Sequence, residues 1–152
     1  MSRKIIFGID PRAEEVDKTI DWTLKNFLRP DDHIILALVV ILDSDFADEE
    51  LGGVATENLT ALENRIITDR ENKLKKIAES LQSQGFSNTM THVLKSSASN
   101  ACQVLIDYVD SSKPEALVLG SRNLTGWKRY LYGSFSDTVQ SKIHCPVIIV
   151  HK

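Results

Sequence analysis

Two cysteines, Cys102 and Cys145, in 152 residues are too few for a disulfide framework or a thiolate metal cluster. The four histidines (His33, His92, His144 and His151) are dispersed, with no H-x-x-x-H spacing, so no metal-ligand motif is written locally. Long apolar runs are also missing. The run after Arg3 and Lys4 covers only Ile5 to Ile9 and stops at Asp10, short of a signal h-region or a membrane span. A net charge of −3, with Lys and Arg scattered, provides no basic face for nucleic acid or an anionic membrane. No internal repeat or low-complexity segment is present. What remains is 42% hydrophobic and 26% charged, the balance of a globular protein, at a length that suits one domain over residues 1–152. A cytoplasmic protein with reduced thiols is the expectation.

Hydrophobic periodicity then divides the chain. Ile5, Ile6, Phe7 and Ile9, broken by Gly8, read as a strand buried on both faces, ended by Asp10-Pro11. Val16, Ile20, Leu24 and Phe27 follow at helical spacing until Arg29-Pro30. Ile34 to Leu42 is a second strand, and the acidic, glycine-containing stretch from Asp43 to Thr56 reads as a loop. A long helix is predicted from near Glu57, with Leu59, Leu62, Ile66, Leu74, Ile77 and Leu81 inward and Gly85 as its stop. Thr89 to Leu94 alternates as a third strand. Ser96, Ser97 and Ser99 are N-cap candidates for a helix through Val104, Leu105, Tyr108 and Val109. After Pro114 come a fourth strand, a helix beyond Gly133, and a last strand from Val147 to Val150. Five strands alternating with four helices imply a doubly wound five-stranded parallel sheet with helices on both faces. Ligands of such sheets sit at the carboxyl ends of the strands, where the strand order reverses; Asp10, Val39 to Val40 and Gly120 lie at such ends.

The stretch from Glu115 to Asp137, EALVLGSRNLTGWKRYLYGSFSD, is the most informative. A short apolar run ending at Leu119-Gly120 enters a loop, and from Ser134 the spacing of Phe135, Val139 and Ile143 turns helical. Glycines allow close backbone approach, and the first amides of a helix are unpaired donors at its positive end, so strand, glycine loop and helix start together can hold an anion. Arg122, Lys128 and Arg129 are cations within that segment. Ser134 and Asp137 form a capping-box pattern that accounts for both residues without a ligand. Asp10 reads equally as a turn residue or as a carboxylate for a nucleobase, a ribose or Mg²⁺ beside phosphates.

The stretch resembles the nucleotide loop of the universal stress protein family, whose pattern is Gly, two residues, Gly, nine residues, Gly, then Ser or Thr. Gly120, Gly133 and Ser134 are in register, while Asn123 stands where the family has its second glycine. Lys4 to Asp10 opens like a family first strand and Cys145 to Val150 closes like the last. The resemblance implies a Rossmann-like fold of the adenine nucleotide alpha hydrolase type and a cytoplasmic stress-response module that binds ATP, with Mg²⁺. It also implies a homodimer through the C-terminal strand. The site it implies comprises Gly8, Ile9, Asp10, Val39, Leu119, Gly120, Arg122, Asn123, Gly133, Ser134, Phe135 and Ser136. Asn tolerates a positive φ, but its side chain occupies space that glycine leaves empty. Two other readings therefore stay open: a dimeric adaptor of the same fold that binds no nucleotide, and a slow ATPase, for which no general base or Walker lysine is evident.

Overall fold

The computed structural model describes residues 2–11, 16–42, 59–120 and 135–150. Five parallel strands form one sheet: β1 (Lys4–Gly8), β2 (His33–Ile41), β3 (Thr89–Ser96), β4 (Ala116–Gly120) and β5 (Val147–Val150), in the order β3-β2-β1-β4-β5. The helices are α1 (Val16–Asn26), α2 (Leu59–Ser83), α3 (Ala101–Ser112) and α4 (Phe135–Lys142). The expected strand count, parallel direction and helix alternation are all present. The predicted loop from Asp43 to Thr56 lies outside the described residues.

The register assigns the faces. Gly8 lies opposite Ala37 and Leu119, and a Cβ on Gly8 would point at Leu105 of α3. His92, two residues along from Met90 on β3, shares this face and stacks on Tyr108 of α3, with ring centroids 4.5 Å apart and planes at 7°. Lys95 has the opposite parity and reaches Glu63 of α2 at 3.3 Å. So α2 covers one face of the sheet and α3 the other. α4 packs beside α3, and α1 lies across β4 and β5. With a helix layer on each side, β4 and all of β1 and β2 but their first residues are buried on both faces, which explains their apolar text.

Local chemistry sets the ends of the helices. Gly85, at φ +102°, ends α2; its N–H bonds the Gln82 carbonyl and the Phe86 N–H bonds that of Leu81, a Schellman closure with Phe86 and Leu81 both buried. α3 ends instead on Lys113 at φ +51°, a left-handed position held by a side-chain-bearing residue, and Lys4 Nζ donates to the carbonyl of Ser112 at 2.9 Å. At the start of α3 the serines make no cap. Ser97 precedes a 3₁₀ turn over Ala98–Asn100 and Asn100 precedes the helix, neither with a side-chain cap bond. Ser97 Oγ lies instead 3.2 Å from Ser99 Oγ. β3 also runs two residues further than its alternation suggested, to Ser96.

The stripe of α2 that faces the sheet reads Leu62, Ile66, Arg70, Leu74, Ala78 and Leu81, each 4% exposed or less. Arg70, at 2%, fills the one turn that the apolar spacing leaves blank.

A buried ion pair closes the amino edge of the sheet. Asp32 is fully buried and accepts from Arg3 Nε at 2.9 Å, Arg3 Nη2 at 2.7 Å and the Arg29 N–H at 2.8 Å. Arg3 also donates to the Phe27 carbonyl and lies 4.5 Å over the Phe27 ring. Burial alone would raise the Asp32 pKa, but the hydrogen bonds from Arg3 and Arg29 and the Arg3 charge hold it below the ordinary value. Its stabilisation is therefore complete above the unfolded aspartate pKa of about 3.9 and is lost as pH falls through the lower folded value. Denaturant titrations from pH 7 downward should show the advantage of the wild type over Asp32→Asn shrinking across that acid window. At pH 7, Arg3→Ala should cost about 3 kcal/mol, because it leaves a buried carboxylate without its cation.

Candidate functional site

Strand order reverses between β1 and β4. The chain steps from β1 outward through β2 to β3, then returns across the sheet to β4 on the other side of β1. In open α/β sheets ligands bind outside the carboxyl ends of the strands at such a reversal. Asp10 follows β1 and Gly120 ends β4, so the two residues lie at the carboxyl edge of the reversal.

Asp10 is 1% exposed and has an interaction partner in the protein. The Ile9 N–H still bonds the Ala37 carbonyl at 3.0 Å, so parallel pairing continues one residue past Gly8 and the backbone leaves the sheet at Asp10. Gly8 itself faces the core: an added Cβ would stand 2.7 Å from Leu119 Cδ2 and 3.4 Å from Leu105 Cδ2. Leu119 fills the space that Gly8 leaves. Ile9, Val39 and Leu119 are each 1% exposed or less. Val39 lies two residues inside the end of β2, opposite Leu94, whereas the sequence reading had it at the strand end. Gly120 is buried and pairs with Val150 of β5.

Arg122, Asn123, Gly133 and Ser134 lie outside the described residues, as do Lys128 and Arg129. Phe135 and Ser136 open α4, and the described contacts do not include their side chains. The capping-box partner Asp137 has the same standing. The structure thus brings together the strand-end half of the proposed set, from Gly8 to Asp10 with Leu119 and Gly120.

The same edge holds a feature absent from the sequence reading. A cavity of about 350 Å³ is lined by Leu42, Lys95, Ser96 and Ser97, at the carboxyl ends of β2 and β3. The extension of β3 to Ser96 carries these residues to the ledge, where the sequence had read Ser96 and Ser97 only as helix-cap candidates. Lys95 is 57% exposed along its side chain, so its pair with Glu63 is a weak surface contact and leaves the ammonium available.

Burial raises the Cys102 thiol pKa against the opposing pull of Lys142; burial and then the Asp110 charge raise that of Cys145. Asp110 is held low, first by its bond with the His144 ring (Oδ2 to Nδ1, 2.9 Å), and it also accepts from the His144 N–H at 3.1 Å. That clamp fastens the segment before β5 to α3. Among the described residues no group of three or more His, Cys, Asp or Glu is placed to hold a metal ion, and no helix is long and apolar enough to cross a membrane.

These features define a doubly wound α/β protein whose strand order reverses between β1 and β4. The sequence model of the universal stress protein family matches residues 1–151, and the chain belongs to that family. Universal stress protein MJ0531 of Methanocaldococcus jannaschii is 33% identical over 48 residues, a match spanning 32% of this chain and 28% of that relative. Among solved structures, hypothetical protein MJ0577 superposes with a TM-score of 0.74 at 21% identity, covering 100% of this chain and 97% of that one. A universal stress protein in complex with cAMP gives 0.59 at 15% identity, covering 99% and 97%. These two likenesses establish the fold.

The Gly8 contact sets a clear expectation. Gly8→Ala should destabilise the protein by about 1–3 kcal/mol, because Leu119 is fully buried and has little room to yield. The denaturation midpoint measures it; a midpoint equal to wild type would show that the space at Gly8 is slack.

Proposed function

We propose that this universal stress protein is a regulatory module that binds ATP, with Mg²⁺, in the crevice between the Asp10 turn and the loop from Gly120 to Ser134. The observation that carries the reading is the placement of Asp10 and Gly120 on adjacent strands where the strand order reverses. Asp10 supplies a buried carboxylate for the nucleoside or the metal, and the glycine loop supplies backbone amides for phosphate. The cAMP held by one structural neighbour is an adenine nucleotide and supports this choice of ligand class. Two cysteines without a disulfide suit a reducing compartment, and the cytoplasm is the proposed location.

Calorimetric titration with ATP and Mg²⁺ tests the reading. Wild type should give saturable heat, and Gly133→Val should abolish it by placing a branched side chain in the phosphate approach. Heat that survives in this variant would move the site elsewhere. No heat from folded wild type would favour the adaptor reading, to which Asn123 in the place of a family glycine already points. ADP accumulating in the cell would add slow hydrolysis.

A homodimer through β5 is the proposed assembly. β5 is an edge strand, its text Val147-Ile148-Ile149-Val150 is wholly apolar, and three of its four residues are only half-buried. α1 packs against β5, and an apolar edge strand is a template for pairing with a second copy. Light scattering over a dilution series should give twice the chain mass, and Ile149→Lys should halve it with the circular dichroism unchanged. A monomer mass at every concentration would exclude the dimer.

A further inference from the structure

The amino edge of the sheet, opposite the crevice, carries a pair of soft donors. His33 opens β2, and Met90 lies opposite Ile35 in the parallel register. His33, Ile35 and Met90 therefore project from one face. The fold brings His33 Nε2 to 3.2 Å from Met90 Sδ across 57 residues of chain. Met90 is the only methionine besides Met1, and it is 47% exposed, whereas methionine ordinarily fills gaps in a core. Both strands are anchored at this point: the Ile34 N–H bonds the Asn88 carbonyl at 2.9 Å, and Thr89 Oγ1 donates to the Phe86 carbonyl at 2.7 Å.

We propose that His33 and Met90 form a binding site for a soft monovalent metal ion of the Cu(I) class. A thioether is a neutral, polarisable donor that selects Cu(I) and contributes little to Mg²⁺ or Ca²⁺, which take oxygen ligands. Imidazole is the usual nitrogen partner for copper. With metal bonds of about 2.0 Å to nitrogen and about 2.3 Å to sulfur, as for zinc, an ion at the observed separation would subtend roughly 95°. The three rotatable bonds of Met90 let the sulfur swing outward and widen that angle toward trigonal. The exposure of Met90 leaves the third position to solvent or a small anion. In the ion-free protein the two side chains rest against each other, so the site assembles with little rearrangement of the backbone. No local spacing announces this pair, because its donors sit on different strands.

Silver(I), which does not change oxidation state here, is the probe. Cys102→Ser/Cys145→Ser protein removes the competing thiols, and titration with silver nitrate should show one equivalent bound. Met90→Leu and His33→Asn, introduced separately at this partly exposed site, should each weaken that binding at least tenfold. In wild-type protein, after the thiols are saturated, the Met90 methyl and His33 ring resonances should move together while the Met1 methyl serves as control; this readout does not depend on the double variant folding. Silver that leaves the Met90 and His33 resonances unmoved, or that binds the single variants as tightly as their parent, would overturn the proposal.

Discussion

Everything in this molecule depends on the pairing of β1 between β2 and β4. All residues from Ile5 to Phe7 are fully buried, with a neighbouring strand on each edge and a helix layer on each face. A strand in that position satisfies every backbone group through its neighbours and presents apolar side chains in both directions. Because parallel crossovers are right-handed, the two connections that carry the chain from β1 to β3 put α1 and α2 on one face. The return to β4 and the step to β5 put α3 and α4 on the other. The meeting of Asp10 and Gly120 at one carboxyl edge follows from this reversal, before any particular side chain is considered.

The same constraint explains where polar groups are tolerated. Asp32, fully buried at the amino edge, is held by Arg3 and by the Arg29 N–H. That cluster ties the residue before β1 to the turn before β2 and so supports the register of the central pair. At the other end, Asp10 is buried where the chain leaves the sheet. One buried aspartate thus lies beside a cation that neutralises it, and the other lies at a place where ligands enter folds of this kind. Asp32 is thus a structural residue, and Asp10 is the one for which a ligand role is proposed.

Membership of the universal stress protein family gives the β1/β4 reversal its context, and Asn123 bears on the nucleotide site proposed there. Gly8 teaches a complementary lesson. It lies beside the crevice, yet the space above it is filled by Leu119, so its role is the close packing of β1, β4 and α3.

The sequence by itself determined the order of elements, the parallel sheet and the stop at Gly85, because buried strands and helix ends are written in local spacing and in the backbone freedom of glycine. It also marked Asp10 and Gly120 as strand ends, and hence half of the candidate site. Local text misled where a residue had two uses. Ser96 and Ser97 read as helix caps, but Ser96 ends β3, Ser97 makes no side-chain cap bond, and both line the carboxyl ledge. Val39 read as a strand end and lies inside β2. Arg70 went unread, because a charged residue on an apolar stripe leaves no mark in hydrophobic periodicity. Tertiary structure alone decided the pairing of Arg3 with Asp32, the stacking of His92 on Tyr108 and the meeting of His33 with Met90. Each joins side chains from separate elements, and strand register, which no local pattern encodes, sets which of them face one another.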